Sequence, residues 1–417
     1  MKKGTILSLE QATSLPYATQ RFVQLGWRVI RVEATGVPGR AGDPNRYIGH
    51  DIGAGADRRA GFIAPNVGKE AIALNLKDAA GQQALQRLIT ALDVDVFCCN
   101  VLPKHHAALG VDYATLSAVK PSLIWASISA MGTAFPSVAG YDPIIQATSG
   151  LMSLNGDPTR EPTLIGVPLT DLKAGDELYA AVLLGLLERT ESGAGKRIDI
   201  SMVQAAMSLL PTVLPLVDLG GAANVLTRSG NAHRQFVPTN VYRTRDGHLY
   251  LAIGSNAQWE KLLSIPGFET LQGPMFATLD ARTENRLALY ARIDAIVEQF
   301  TLDALIGHLE RLSLPHSRIN TVEQAMAHPA AASRLCWTEV AGKRVRLPPM
   351  ASGGASPAVG ADTAPVGSAL PSARSNEAAG SAYPSAPHFG EHTRALLAES
   401  GLDTADIGAL FADGVVQ

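Results

Sequence analysis

The sequence predicts an α/β protein: a doubly wound, Rossmann-like parallel sheet in a large domain, with a smaller α+β domain after it. Three observations carry this reading. Short apolar runs recur through the first 205 residues, as fully buried strands require. Helical apolar spacing lies between the runs, clearest at Leu85, Leu88, Ile89 and Leu92, one face of a helix. After residue 205 the pattern breaks into a Gly- and Asn-rich stretch at 218–235 and a hairpin signal, Asp246-Gly247.

The elements follow in order. Residues 16–26 read as a helix with Pro16 in its first turn, and Trp27 to Glu33 as a strand. Residues 40–62, rich in Gly, Asp and Arg, read as a loop. Ala71 to Leu76 is a strand, 80–92 a helix, Val94 to Cys98 a strand, 112–119 a short helix and Ser122 to Ile128 a strand. A helix covers Pro143 to Met152. The apolar run Leu164 to Leu169 then leads through Asp171 into the apolar helix Leu178 to Leu187, and Arg197 to Met202 is a strand. Asn240 to Arg243 and His248 to Ile253 form the hairpin, and helices follow at 256–264 and 283–311. Residues 350–387, rich in Ala, Gly, Ser and Pro, read as a linker. Two helices close the chain, one ended by Gly401 and one capped by Asp403 or Thr404.

Composition excludes several classes. A net charge of −3 offers no basic surface for nucleic acid and no polybasic arm for a membrane. The longest apolar stretch, Ala205 to Val217, holds two prolines and is too short to span a bilayer. The N-terminus lacks a signal peptide's apolar segment, so a cytoplasmic protein is expected. Cys98 and Cys99 lie in an apolar run and read as buried thiols, and no Cys/His spacing suits a metal. His105 and His106 read as solvated. Doubly wound sheets bind ligands beyond the carboxyl ends of their strands. Yet the nearest dinucleotide signature, Gly53-Ala54-Gly55, lacks its third glycine, and neither a P-loop nor a GxSxG elbow occurs. Asp171 stands out as a carboxylate where a helix begins. There it serves as a helix cap, or as a nucleophile kept ionised by helix N–H groups.

The collinear order of several segments resembles the class III CoA-transferases, the family of formyl-CoA transferase and carnitine CoA-transferase. The segments are LGWRVIRVE, Asn66 and Lys69 with the run Ala71 to Lys77, Asp95 to Asn100, Gly140-Tyr141-Asp142 with Gln146 to Met152, GAGKRIDISM, and HFGEHT at 388–393. The resemblance makes Asp171 the nucleophile. A carboxylate attacks an acyl-CoA carbonyl, and the exchange proceeds through an anhydride and an aspartyl-CoA thioester, without a prosthetic group or metal. CoA contacts carry over to Leu74, Asn75 and Lys77, to Asn100, Val101 and Leu102, and to Tyr141 and Asp142. Related α-methylacyl-CoA racemases carry a histidine where this chain has Tyr141. A tyrosine, with an ordinary pKa of about 10, is a poor base, which favours transfer over racemisation. Basic positions of formyl-CoA-transferase-like members are Ala34, Ala108 and Ala139 here, Thr13 replaces a side-chain amide, and the glycine-run lid after Gly230-Asn231 is missing. Arg46, Arg58, Arg59, Lys104 and Arg234 are candidate substitutes for holding CoA phosphates.

The resemblance further implies a large domain built from both chain ends, 1–205 and 331–417, around a linker and small domain at 206–330. It implies an interlocked homodimer, or a heteromer with a paralogous subunit. Succinyl-CoA is the expected donor and a carboxylic acid the acceptor; an acyl-CoA racemase is the alternative activity.

Overall fold

Six strands, β1 (Thr5–Leu9), β2 (Arg28–Ala34), β3 (Glu70–Leu74), β4 (Val96–Cys99), β5 (Ile124–Ser129) and β6 (Lys196–Ser201), form one sheet ordered β3-β2-β1-β4-β5-β6. Every neighbouring pair is parallel. The structure, a computed structural model, describes residues 3–37, 39–220, 226–332, 334–348 and 382–417. Of the expected linker at 350–387, residues 350–381 lie outside them, while 382–387 open with a short strand; residues 221–225 of the stretch at 218–235 lie outside as well.

Alternation along the strands builds two cores, one on each face. Ile6, Val29, Val96, Cys98, Ile124 and Ala126 pack toward helices Ser14–Gln24 and Leu169–Ser192. Leu7, Leu9, Ile30, Val32, Phe97, Cys99 and Trp125 pack toward helix Ala79–Ala91 and the C-terminal helices Thr393–Glu399 and Thr404–Ala412. Both adjacent cysteines are buried, one in each core.

β1 is the strand the sequence reading lacks, although it lies between β2 and β4 at the point where strand order reverses. It spans only five residues and includes Ser8, so its apolar signal is short. The expected helix at 283–311 is three helices, Leu279–Glu284, Arg286–Val297 and Leu302–Arg311. Thr301 caps the last by accepting the Ala304 N–H, and Asp246 of the hairpin turn accepts the Leu302 N–H at 2.7 Å. The helix expected over 143–152 is Asp142–Thr148 and Leu151–Leu154, broken at Gly150, whose φ of +86° is left-handed.

The small sheet β7 (Thr239–Arg243), β8 (His248–Ala252) and β9 (His316–Arg318) is antiparallel and has its own core around Tyr242, Trp259, Phe268 and Phe276. A further sheet pairs β10 (Cys336–Val340) with β11 (Lys343–Leu347) and β12 (Ala382–Tyr383).

The chain's end returns to the large sheet and covers the open edge of β3. Leu74 bridges Val416, the Asn75 N–H donates to the Val415 carbonyl at 2.8 Å, and His392 Nδ1 and Thr393 Oγ1 accept the N–H groups of Ala71 and Ala73. An exposed row of strand donors is thereby satisfied. This gives the HFGEHT segment its structural work.

A buried ion cluster ties β1 and β2 to their surroundings. Lys69 Nζ donates to Glu10 at 2.6 Å, to the Pro16 carbonyl at 2.9 Å and to Thr19 Oγ1 at 2.8 Å. Arg31 pairs with Glu33 at 3.2 Å and Asp43 at 3.1 Å, and donates to Asn66. Burial pushes the Glu10 carboxyl up, but Lys69 and Arg31 outweigh it and hold it below its ordinary range. Burial lowers Lys69 to about 8. Removing one partner of such a group costs about 3–5 kcal/mol, because the other charge stays buried.

Candidate active site

Asp171 is not a cap. It is the third residue of helix Leu169–Ser192, which begins before the apolar stretch that announces it. Leu164 to Val167 is loop rather than strand. Buried positions in this helix run Thr170, Ala174, Leu178, Val182 and Leu186, every fourth residue, on the face toward the sheet. Gly175 lets it approach helix Ser14–Gln24. A Cβ there would lie 2.8 Å from the Ser14 carbonyl oxygen and 2.7 Å from the Tyr17 ring. That contact brings Ser14, which is buried, to hydrogen-bond the Asp171 carboxyl.

The other wall is Asp142, buried at the start of helix Asp142–Thr148. Its Oδ1 accepts the N–H and the hydroxyl of Thr170, both at 2.7 Å, and its Oδ2 accepts the Gln146 amide at 2.7 Å. Gln146 Oε1 in turn accepts the Ile165 N–H at 3.0 Å. The loop into the Asp171 helix is thus fixed from the side.

This arrangement reverses the electrostatics expected from the sequence. Burial, and secondly the Asp142 charge, push the Asp171 carboxyl from its ordinary 3.8 up to about 7, while the Ser14 hydrogen bond pulls it down. No helix N–H is among the groups that lower it, and the Thr170 N–H serves Asp142 instead. That N–H is likewise unavailable to an oxyanion.

An open cleft of about 610 Å³ brings together Lys77, Val101 and Leu102 with Gln11, His105 and Ala108. Asn100 forms its support: its Oδ1 accepts the Gln11 N–H at 3.0 Å and its Nδ2 donates to the Gln11 carbonyl at 2.8 Å. Gln11 and Ser14 flank one short turn after β1, so this turn borders the cleft at one end and Asp171 at the other. Asn75 Oδ1 accepts the Lys77 N–H at 3.2 Å, shaping the Lys77 loop. The close approach of Gly81, where a Cβ would meet the Asn75 carbonyl at 2.1 Å, seats that loop on helix Ala79–Ala91. Leu74 is wholly buried in the core, and Tyr141 is 69% exposed at the start of its helix, without the wall packing an aromatic there suggests.

Several expected positions are occupied otherwise. Arg46 is fully buried, with its guanidinium on Glu33, the Pro387 carbonyl and the Phe62 ring, so it is not a surface cation for phosphate. Arg58 donates to the carbonyls of Ala54 and Ala386, and Arg59 pairs with Asp51. Arg234 donates to the carbonyls of Thr227 and Leu154, and Lys104 is exposed. His106 is not solvated: it is buried, its Nε2 lies 3.1 Å from the Val101 carbonyl, and burial lowers its pKa. His105 alone of the pair is exposed, and it lines the cleft. Ser14, Thr170 and Gln11 carried no signal as small polar residues in sequence. Gln146 had one, standing four residues after Asp142 on the same helix face.

A half-buried carboxyl beyond the strand ends of a doubly wound sheet, one turn away from an open cleft, lies where such sheets take ligands. The chain belongs to CoA-transferase family III, whose family model matches residues 1–393. It is therefore a CoA-transferase, and acyl-CoA is its substrate class. It is 30% identical over 422 residues to an acyl-CoA transferase of Fusarium pseudograminearum, covering 99% of this chain and 87% of that protein. It is 30% identical to human succinyl-CoA:glutarate CoA-transferase, covering 78% and 72% of the two chains. A CaiB/BaiF family protein from Brucella suis superposes with a TM-score of 0.77 at 28% identity, over 95% of this chain and 98% of that one.

Proposed function

We propose that this enzyme transfers CoA from succinyl-CoA to a dicarboxylic acid acceptor, with Asp171 as the covalent nucleophile. The observation that carries the reading is the carboxyl of Asp171, set in the first turn of a helix between Ser14 and Asp142 and raised to about 7. At neutral pH such a group is roughly half ionised and more basic than an ordinary carboxylate, which favours attack on a thioester.

The steps balance as follows. An Asp171 oxygen attacks the acyl carbon, the C–S bond breaks, and CoA thiolate leaves a mixed anhydride. The thiolate attacks the Asp171 carbonyl and expels the donor acid, giving an aspartyl-CoA thioester. The acceptor carboxylate attacks that thioester and releases CoA thiolate again. The thiolate then takes the acceptor's acyl group and frees the Asp171 carboxylate. The anhydride has to be kept from water, and the half-buried setting of Asp171 restricts access to it.

Lys77, with Asn75, Asn100, Val101 and Leu102, is the side from which CoA enters in this reading; the ammonium of Lys77 suits a phosphate. Leu74 and Tyr141 contribute backbone and an exposed ring at its margins. The succinyl donor is supported by the relatives, several of which are named succinyl-CoA transferases. The same reading carries two interlocked copies of the chain.

The test is CoA exchange between succinyl-CoA and a panel of acids including glutarate, with wild type and Asp171→Ala. Wild type is expected to form the new thioester, and the variant to lose at least about 1,000-fold. Full exchange by Asp171→Ala would contradict the mechanism, and exchange with monocarboxylates alone would contradict the dicarboxylate assignment.

A further inference from the structure

Helix Leu169–Ser192 starts on Pro168, which makes no side-chain cap. Its acceptor comes from another element. The three hydrogen bonds that Asp142 accepts, two from Thr170 and one from Gln146, are all 2.7 Å long. The Thr170 hydroxyl also lies 3.4 Å from the Asp142 carbonyl. Gln146 extends the hold to the entering loop, through the Ile165 N–H at 3.0 Å and the Ile165 and Val167 carbonyls at 3.5 Å. Asp142 is 5% exposed and both its carboxylate oxygens are engaged, so little of it is left for a ligand.

We propose that Asp142 is a positioning residue for CoA transfer: it fixes the first turn of the Asp171 helix, and so the place of the Asp171 carboxyl, without touching CoA. This rests on Asp171 being the nucleophile. It departs from the family-derived expectation that Asp142 contacts CoA. Asp142 does two things at once. As an acceptor it replaces the absent cap, and as an anion it opposes ionisation of Asp171. The groups facing Asp171 are Asp142 from helix Asp142–Thr148 and the Ser14 hydroxyl from helix Ser14–Gln24. Cations on the two long helices are engaged with other carboxylates: Lys173 with Glu177, and Arg21 with Asp176 at 2.7 Å.

The experiment compares wild type, Asp142→Ala and Asp142→Asn, with succinyl-CoA as the probe. It reads the single-turnover rate of thioester formation on Asp171, the KM for succinyl-CoA, and the pH profile of kcat/KM. Asp142→Ala should lose about 100-fold in kcat with KM within about 3-fold of wild type. Asp142→Asn keeps an acceptor for Thr170 but not the charge. It should lose less, and the acid limb of its profile should move to lower pH. Should the alanine variant fail to fold, the asparagine profile decides alone. A raised KM at unchanged kcat would overturn the proposal in favour of a CoA contact. An unmoved acid limb in Asp142→Asn would reduce Asp142 to ordinary scaffolding. Wild type turning over without a thioester on Asp171 would instead overturn the nucleophile assignment, and the proposal with it.

Discussion

Asp171 shows how a site can work against the residue it holds. A carboxyl whose pKa rises from 3.8 to about 7 on folding binds more protons folded than unfolded between those values. Stability from this group is therefore full below about pH 4 and is lost as pH rises through about 7. Asp171→Asn removes the titration. Its melting temperature should gain on wild type steadily from pH 5 to pH 8, followed by calorimetry. A difference that does not change over this range would contradict the raised pKa. The sequence offered Asp171 as a candidate because of its place near a helix start, but not its environment. Ser14 lies 157 positions and Asp142 29 positions away, and no local pattern links them.

At the scale of elements, the pairing of helices Ser14–Gln24 and Leu169–Ser192 sets the site. Gly175 lies in that contact, and Gly175→Ala would push a methyl against the Ser14 carbonyl oxygen and the Tyr17 ring. We expect a loss of about 1–3 kcal/mol in urea unfolding and a kcat that falls further than stability alone explains, because Ser14 moves from Asp171. Unchanged kcat would show that the helix contact does not align the carboxyl. These elements also show what was legible. The parallel strands β2 to β5 were readable as apolar runs, and Asp403 marks the start of the last helix with a side-chain cap, whereas the cap at Thr301, which divides 283–311, was not read. The first turns of the Asp171 helix were not. Thr170, Ala174 and Gly175 bury small or polar side chains, so hydropathy places the helix start near Leu178 rather than Leu169. Likewise, Lys69 and Asn66 were visible only as family positions. Their work, neutralising Glu10 and holding Arg31, depends on partners from β1 and β2.

The whole molecule returns its C-terminus to the sheet that its N-terminus begins. Residues 392–417 cover the edge of β3, and the 387–389 segment accepts from Arg46 and donates to Asp57. Among the described residues no helix is long and apolar enough to cross a membrane. Large apolar side chains nevertheless remain open to solvent in one chain: Leu184 and Leu187 on the Asp171 helix, and Val217 and Leu219 beyond β6, at 52%, 61%, 61% and 79% exposure. In the interlocked arrangement proposed above, such side chains are candidates for cover by the second copy. Light scattering should give twice the chain mass of 43.8 kDa, and Leu187→Asp should weaken that assembly. A monomer at micromolar concentration would contradict the interlocked dimer.

The central claim is that Asp171 carries CoA during turnover. The direct measurement is to mix the enzyme with succinyl-CoA, quench in acid, digest, and weigh the peptide containing Asp171. The account predicts a CoA adduct on that side chain, converted to the hydroxamate by hydroxylamine and absent in Asp171→Asn. Turnover without an adduct, or an adduct on any other residue, would contradict it.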